Sequence, residues 1–193
     1  MLNDNAGWIA GNKGVILKTI NGGSQWMLQN SGTQANLRDV HFVDANRGWA
    51  VGEGGVIVGT HDGGRSWYVV QPSVTALPLK AVWRNSNTLA WAGGTSGAYA
   101  FTGATPDSLQ WNLGSFGASN QVFGVQFVDD QTGFAVGSNG TGLVLRTVDG
   151  GLVWSPQVSN SAQALNDVYF VDTLRGWAVG AAGRIVHTSK GGF

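Results

Sequence analysis

The sequence contains no cysteine and few charged residues. The absence of cysteine excludes disulfide bonds, thiolate zinc sites and cysteine nucleophiles. Only 11% of the 193 residues are charged, and 11 basic residues balance 11 acidic ones, so the formal net charge is zero. Because general nucleic-acid binders need an excess of positive charge, we expect no nucleic-acid partner.

Long apolar segments are missing as well. No run of 18 apolar residues occurs, so we expect no membrane-spanning helix. The segment Met1–Gly11 lacks the basic start and the apolar stretch of a signal peptide. Glycine and tryptophan are abundant instead, with 31 and 9 residues. So many tryptophans argue against a disordered chain, and the glycines follow no three-residue period, which excludes collagen.

A phrase of the form Gly-Trp-Ala-Val-Gly recurs five times along the chain. Its central residues are Trp8, Trp49, Trp91, Phe134 and Trp177, at separations of 41, 42, 43 and 43 residues. A near-constant period of this length is typical of propellers and other repeat architectures. The repeat units predicted from it are residues 1–36, 37–78, 79–121, 122–164 and 165–193.

A second phrase, Thr-x-Asp-x-Gly-x-x-Trp, occurs in the second half of the units. Its aspartate and tryptophan positions hold, in chain order, Asn21 and Trp26, Asp62 and Trp67, and Asp149 and Trp154. The carboxylate of such an aspartate accepts backbone N–H bonds inside a tight turn, and the tryptophan packs between blades. We therefore expect structural roles for these residues. Pro106 and Lys190 stand at the same position in the third and fifth units, whose turns must be held differently.

The spacing within each unit predicts four short strands and no helix. In the second unit the strands are expected at about 37–43, 47–52, 56–60 and 66–71, where Val, Ile, Phe, Trp and Thr fill the runs. Four antiparallel strands in each of about five units predict an all-β fold, a β-propeller or a segment of a larger one with, for example, seven blades. Trp49, Phe134 and Trp177 are then expected to be buried between blades.

The combined pattern resembles the photosystem II stability and assembly factor family. The phrases that carry the resemblance are Phe-Val-Asp, Arg-Gly-Trp-Ala-Val-Gly and Thr-x-Asp-Gly-Gly-x-x-Trp, which are clearest in residues 40–67 and 168–192. The resemblance implies a propeller fold and a non-catalytic scaffold that binds a partner protein through a propeller rim. It also implies an extracytoplasmic location, which is secreted, periplasmic or thylakoid-lumenal.

Arginines near the turns are the candidate contacts for such a partner. Arg47, Arg84 and Arg175 are assigned to turns between the first and second strands, and Arg65 to a turn between the third and fourth strands. All of these turns lie on one rim of a propeller. The family is associated with an arginine-rich patch that contacts its client, and arginine pairs well with carboxylates.

Two other classes of function remain open at this point. The first is a carbohydrate-active propeller, either a sialidase-like enzyme or a glycoside hydrolase that uses Asp39 or Asp167, which occupy equivalent positions on innermost strands. A sialidase-like site needs a glutamate partner, and the sequence has one glutamate, Glu53, in a predicted hairpin turn. The second is a structural subunit of an extracellular or phage assembly, which the low charge content suits.

Cofactor and metal sites are not expected. His41, His61 and His187 do not share a repeat position, so the units do not bring them together. The glycine-rich turns are not followed by a helix whose N-terminus could hold a phosphate.

The terminal units are incomplete in strand count. Met1 aligns with Phe42, so most of an innermost strand is missing from the first unit, and the fifth unit lacks its outermost strand. Unpaired strand edges invite strand addition from another chain. A homo-oligomer that completes these blades is therefore one expectation.

Overall fold

The computed structural model describes residues 1–70, 73–84, 89–102 and 110–192. Within this part of the chain, eighteen β-strands form five antiparallel sheets, and each sheet uses strands that are consecutive in sequence. Three short 3-10 turns, at Asn12–Gly14, Glu53–Gly55 and Ala181–Gly183, are the only helical elements there. No helix in these ranges is long and apolar enough to cross a membrane.

The strands of the first sheet are β1 (Gly7–Ala10), β2 (Val15–Thr19) and β3 (Met27–Asn30). Those of the second are β4 (Leu37–Phe42), β5 (Gly48–Gly52), β6 (Ile57–Thr60) and β7 (Tyr68–Val69). The third contains β8 (Leu79–Arg84), β9 (Ala90–Gly94), β10 (Ala98–Thr102) and β11 (Trp111–Ser115). The fourth contains β12 (Gln121–Phe127), β13 (Gly133–Ser138), β14 (Gly142–Thr147) and β15 (Ser155–Gln157). The fifth contains β16 (Leu165–Phe170), β17 (Gly176–Gly180) and β18 (Ile185–Thr188).

The sheets are successive blades of a β-propeller segment. The first strands of the second to fifth blades, β4, β8, β12 and β16, lie next to one another and form the inner side of the arc. The three middle blades have four strands, while the first and fifth have three in the described residues. Among the described residues the first blade has no inner strand and the fifth has no outer one, as the alignment of the units predicts.

Each inner strand of the second to fifth blades carries the same irregularity. In the second blade the register with the neighbouring strand shifts between Leu37 and Asp39, so Arg38 is the extra residue of a β-bulge. The same shift recurs between β8 and β9, β12 and β13, and β16 and β17. A bulge bends and twists its strand locally. These four inner strands are therefore expected to share the same local bend.

The apolar core lies between the blades. The central aromatic residue of each of the first four units faces the following blade. Three of these residues are almost fully buried: Trp49 at 1% exposure, Trp91 at 1% and Phe134 at 0%. Trp49, for example, packs in one cluster with Val82, Ala92 and Trp111 of the third blade. The prediction for Trp177 was wrong, because it is 40% exposed. No sheet covers the fifth blade on this side within the described residues.

Aromatic stacking adds to the contact between blades at the end of the inner strands. Phe42 stacks on Trp8 of the preceding blade with ring centroids 3.5 Å apart, and Phe170 stacks on Phe134 at the same distance. Gly48 permits this arrangement, because a Cβ there would lie 2.6 Å from the Phe42 ring. The glycine that begins the Gly-Trp-Ala-Val-Gly phrase is therefore needed for close packing under an aromatic ring.

Candidate binding rim

The turn around Asp62 is closed by side-chain hydrogen bonds. Thr60 Oγ1 donates to Asp62 Oδ1 at 2.9 Å and accepts the N–H of Gly64 at 2.9 Å. The same Asp62 Oδ1 accepts the N–H of Ser66 at 2.9 Å, and Ser66 Oγ donates to Oδ2 at 2.5 Å. The Ser66 hydroxyl and its N–H, followed by the Thr60 hydroxyl, hold the pKa of Asp62 down to about 2. Asp62 is thus a charged acceptor within its own turn.

Two other turns repeat this geometry. Asp149 Oδ1 accepts from Thr147 Oγ1 at 2.7 Å and from the N–H of Val153 at 3.0 Å. Asn21 Oδ1 accepts from Thr19 Oγ1 at 3.0 Å and from the N–H of Gln25 at 2.9 Å, so a neutral amide oxygen replaces the carboxylate. The third copy, with Pro106, falls on residues 103–109 and lies outside the described residues.

The fifth copy of the turn has no carboxylate at the aspartate position. Thr188 Oγ1 donates to the carbonyl oxygen of Gly192 and accepts the N–H of Lys190. A backbone carbonyl therefore takes the place of the aspartate.

The tryptophans of these turns pack against neighbouring aromatic rings. Trp67 contacts Phe42 edge-on with ring centroids 5.8 Å apart, and Trp154 contacts Phe127 edge-on at 5.7 Å. Trp154 Nε1 also donates to the carbonyl of Gly151 at 3.1 Å. Trp26 is half-buried and lies against Gly23.

The turns between the first and second strands lie beside the turns just described. The N–H of Gly63 donates to the carbonyl of Asn46 at 2.8 Å, and corresponding bonds join Gly150 to Gln131 and Gly191 to Leu174. These hydrogen bonds join both kinds of turn into one edge of the arc. We call this edge the rim, and it consists of residues 3–6, 20–25, 44–47, 61–66, 129–132, 148–153, 172–175 and 189–191.

Arg47 and Arg175 lie on the rim and pair with aspartates of their own turns. Arg47 Nε donates to Asp44 Oδ2 at 2.7 Å, while Asp44 Oδ1 accepts the N–H of Arg47 at 2.8 Å. Arg175 makes the same contacts with Asp172, at 2.8 Å and 2.7 Å. Burial raises the pKa of Asp44, but the backbone N–H groups of Asn46 and Arg47 and the guanidinium outweigh it and lower the pKa overall.

The other two candidate arginines occupy different environments. Arg65 is exposed on the rim between Gly64 and Ser66. The placement of Arg84 in a turn was wrong: it is the last residue of β8, pairs with Ala90 as Phe42 pairs with Gly48, and is only 3% exposed. Its position in the repeat is that of Phe42. The alignment of Leu79 with Leu37 is the sequence signal that gives this register.

A concave site opens where the inner strands meet the rim. It has a volume of about 320 Å³ and lies between the ends of β4, β8 and β12. We call it the rim pocket, and its polar and aromatic lining includes His41, Trp83, Arg84, Asp129 and Asp130. Sequence analysis did not assign His41 and Trp83 to a binding site.

His41 and Trp83 form one wall of the rim pocket. Their rings stack with centroids 4.1 Å apart, and His41 Nε2 lies 3.1 Å from the carbonyl oxygen of Arg84. Burial lowers the pKa of His41 to about 4, and the positive charges of the Met1 amino group and Arg84 act in the same direction. His41 is therefore neutral at pH 7, and its N–H can donate to the Arg84 carbonyl.

Asp39 links two inner strands. Its Oδ2 accepts the N–H of Val82 on the next blade at 2.8 Å, and its Oδ1 accepts the N–H of Val40 at 2.8 Å. Burial raises the pKa of Asp39, the two backbone N–H groups oppose this, and the negative charge of Asp167 adds to it. Gln126 makes a similar link between the fourth and fifth blades, donating to the Phe170 carbonyl at 2.9 Å and accepting its N–H at 2.6 Å.

Metal-ligating residues do not cluster in the described ranges. No group of three or more His, Asp or Glu side chains there has an arrangement that could hold a metal ion. His41, His61 and His187 belong to separate aromatic contacts, with Trp83, Tyr68 and Trp177 respectively.

The fold and its turns define a class of protein, a β-propeller segment built from four-stranded repeats. The chain also matches the sequence model of the photosystem II assembly factor YCF48 over residues 24–80 and 104–193, which is more than half of its length. The chain therefore belongs to the YCF48 assembly factor family. No curated protein sequence matches it.

Solved structures with the same fold include two of YCF48. YCF48 from Cyanidioschyzon merolae is 19% identical with a TM-score of 0.70, and the match covers 98% of this chain and 67% of that one. YCF48 bound to a D1 peptide is 16% identical with a TM-score of 0.58, and the match covers 96% and 74% of the two chains.

Glycoside hydrolases share the fold as well. The GH74 xyloglucanase from Xanthomonas campestris is 16% identical with a TM-score of 0.71, and the match covers 95% of this chain but only 34% of the enzyme. At these identities the three structures establish the fold alone. The chain spans about one third of the hydrolase.

Proposed function

We propose that the protein is a non-catalytic scaffold that binds a segment of a partner protein at the rim. The observation that carries the proposal is membership of the YCF48 family, for which one structure of the same fold contains a bound D1 peptide. The rim supports it because it combines exposed arginine with a concave site lined by aromatic and charged groups. Aromatic and arginine side chains are enriched where proteins bind each other.

The proposed contacts are divided among the rim arginines. Arg65 offers an exposed guanidinium to a carboxylate of the partner. Arg47 binds Asp44 through Nε, and Arg175 binds Asp172 through Nε and Nη2. Other N–H groups of each guanidinium remain to bind a partner. Arg84 has an indirect role in this proposal. Its side chain is buried, so it shapes the rim pocket instead of contacting the partner at the surface. An extracytoplasmic location is part of this proposal, and it rests on family membership.

Binding of a D1 peptide is the direct test. A fluorescently labelled D1 peptide, titrated with the protein at low and moderate salt, is expected to bind more weakly as salt rises, because exposed charge pairs are screened. A triple variant, Arg47→Ala with Arg65→Ala and Arg175→Ala, is expected to weaken binding by about tenfold or more, which corresponds to ~1.4 kcal/mol.

Arg38→Ala is the matched control for this experiment. Arg38 is exposed, pairs with Glu53 at 2.6 Å and lies at the start of β4, at the opposite end of the strand from the rim. Its loss is expected to leave peptide binding unchanged. If the triple variant and the control bind the peptide equally well, the rim is not the binding surface.

A glycoside hydrolase is the second candidate, favoured by the raised pKa of Asp39 and the influence of Asp167 on it. The hydrogen bonds of Asp39 argue for a structural role instead, since each oxygen accepts a backbone N–H and one bond joins two blades. Turnover of xyloglucan or another polysaccharide that is lost in Asp39→Asn would support the hydrolase and contradict the scaffold.

A further inference from the structure

Asparagine is followed directly by glycine at two places in the chain, Asn21-Gly22 and Asn139-Gly140. Such a pair can react with itself, because the backbone nitrogen of the glycine can attack the side-chain amide carbon of the asparagine. Glycine has no Cβ to hinder this approach. The two pairs lie in different surroundings, so their reactivity can be compared within one molecule.

Asn139 lies in the short connection between the second and third strands of the fourth blade. Strand β13 ends at Ser138 and β14 begins at Gly142, so three residues join them. Asn139 is exposed, and a Cβ at Gly140 would meet no other atom within 4 Å. The amide and the glycine nitrogen are therefore in an open part of the structure that water can reach.

The hydrogen bonds of this connection favour the attack. The N–H of Gly140 donates to Ser138 Oγ at 3.2 Å, which places a proton acceptor on the nitrogen that must lose its proton. Asn139 Oδ1 accepts the hydroxyl of Thr141 at 2.9 Å and the N–H of Thr141 at 3.3 Å. Donors on a carbonyl oxygen stabilise the negative charge that develops there when the carbonyl carbon is attacked.

The other pair differs at the glycine nitrogen. Asn21 Oδ1 also accepts two hydrogen bonds, from Thr19 Oγ1 and from the N–H of Gln25. The N–H of Gly22, however, donates to the backbone carbonyl of Asn5 at 2.9 Å. This bond ties the nitrogen to another segment of the chain, and a carbonyl oxygen cannot relay a proton as a hydroxyl group can. The two side-chain amides are thus alike, and the two nitrogens are not.

We infer that Asn139 is a site of spontaneous deamidation, where the chain converts its own asparagine into an acidic residue. The nitrogen of Gly140 gives up its proton by way of Ser138 to water and forms a bond to Asn139 Cγ. The bond from Cγ to Nδ2 breaks, and Nδ2 takes a proton from water and leaves as ammonia. A water molecule then opens the resulting succinimide ring. Cleavage of the new bond from Cγ to nitrogen gives aspartate, and cleavage of the original peptide bond gives isoaspartate.

The conversion changes the charge of a cleft between the third and fourth blades. This cleft has a volume of about 530 Å³, and Asn139 lines it together with the rings of Tyr99, Phe116 and Trp154. None of the described residues that line the cleft is charged. A carboxylate at position 139 therefore places a negative charge at the edge of a neutral, aromatic surface.

Peptide mapping by mass spectrometry tests the inference on the intact chain. The folded protein is incubated in mildly alkaline buffer, sampled over time and digested under acidic conditions, and the converted fraction is measured at Asn139 and Asn21. Asn139 is expected to convert several-fold faster than Asn21. In a parallel sample unfolded in urea the two rates are expected to be similar, because both asparagines precede glycine. Equal rates in the folded protein, or faster conversion at Asn21, would overturn the inference.

Two variants test the groups that direct the reaction. Ser138→Ala removes the proton acceptor, and Thr141→Val removes one donor while keeping a branched side chain. Each is expected to slow conversion at Asn139 several-fold in the folded protein, with no effect in urea and none at Asn21. Circular dichroism checks that each variant folds like the parent. Conversion at the parental rate or faster in both variants would contradict the assigned roles.

Asn139→Gln is the control for the site itself. Glutamine would have to form a larger ring, so conversion at position 139 is expected to stop while Asn21 reacts as before. Ion-exchange chromatography gives an independent readout, because each conversion adds one negative charge to a chain whose formal net charge is zero. If the acidic species accumulate as fast in this variant as in the parent, another residue is the site.

Discussion

The second and fifth blades have nearly the same sequence on the side that faces away from the preceding blade, but different surroundings there. Asp39, Trp49, Val51 and Ile57 of the second blade correspond to Asp167, Trp177, Val179 and Ile185 of the fifth. The apolar side chains of the second blade pack against the third blade, whereas those of the fifth blade are exposed. The local sequence therefore fixes the strand and the face on which a side chain lies. Burial, hydrogen bonding across blades and the resulting stability come from the neighbouring blade.

Truncation of the central tryptophan is expected to give the largest difference between the two blades. Trp49→Ala removes a fully buried side chain and should lower the free energy of unfolding by about 3–5 kcal/mol. Trp177→Ala should cost much less, because part of the ring already contacts water. Urea denaturation measures both losses. Equal losses would show that the fifth blade is covered in solution.

The histidine of the second blade is expected to make stability depend on pH. The pKa of His41 is about 4 in the folded protein, and it is near 6.5 when the residue is free. Between these values the unfolded chain binds more protons, so stability decreases as the pH falls from 6.5 to 4, by about 3 kcal/mol in total.

His41→Gln tests this dependence. Glutamine does not titrate, and Gln126 already makes the corresponding link from the fourth blade to the fifth. Urea denaturation at several pH values between 7 and 4 should show a smaller decline for the variant than for the parent. An unchanged decline would assign the effect to other groups. The lowered pKa values of Asp44, Asp62 and Asp149 place their contributions in a lower range, where stability is lost only as the pH falls below about 4.

The residue at the aspartate position of the turn is expected to matter for stability in the second blade, where it is Asp62, and not in the fifth, where it is Lys190. Asp62→Ala removes acceptors for Thr60 and Ser66, and losing such bonds should cost about 1–2 kcal/mol. Asp62→Asn should cost less, because Asn21 closes the same turn. Lys190→Ala should have little effect, since Thr188 is held by a backbone carbonyl. Thermal melts of the three variants rank these losses, and a different order would contradict the geometry described for the turns.

The rim arginine of the second blade is expected to have the smallest effect on stability. Arg47→Ala breaks a partly exposed ion pair with Asp44 and should cost at most about 1 kcal/mol. Arg175→Ala should cost less, since that guanidinium is more exposed. Chemical denaturation measures both values. A loss of several kcal/mol from Arg47→Ala would mean that the pair holds the turn, which would weaken its assignment to partner binding.

Much of the fold could be predicted from the sequence because the units repeat. The repeat period predicted five blades that follow one another along the chain. Strand β4 was expected at 37–43 and is observed at Leu37–Phe42. The missing inner strand of the first blade and the missing outer strand of the fifth also follow from the alignment. Turn bonds such as those of Asp62 are local, and the spacing of Thr, Asp and Gly is enough to indicate them.

The rim pocket could not be predicted in the same way. His41 stacks on Trp83 and bonds to the carbonyl of Arg84, which are more than 40 positions away. No short motif marks such a contact, because it depends on how far one inner strand twists past the next. Arg84 was misplaced for a related reason. A small error in strand register is enough to assign a side chain to the rim when it lies in the interior.

The restriction of contacts to adjacent blades has a kinetic consequence. The described sheets pack chiefly against their neighbours along the chain, so the blades can separate one after another instead of all at once. A terminal blade loses one interface when it detaches, while a middle blade must break two. Backbone amides of β9 and β13 should therefore exchange with deuterated solvent most slowly. Those of β3 and β18 should exchange fastest, because their sheets each contact only one neighbour among the described blades.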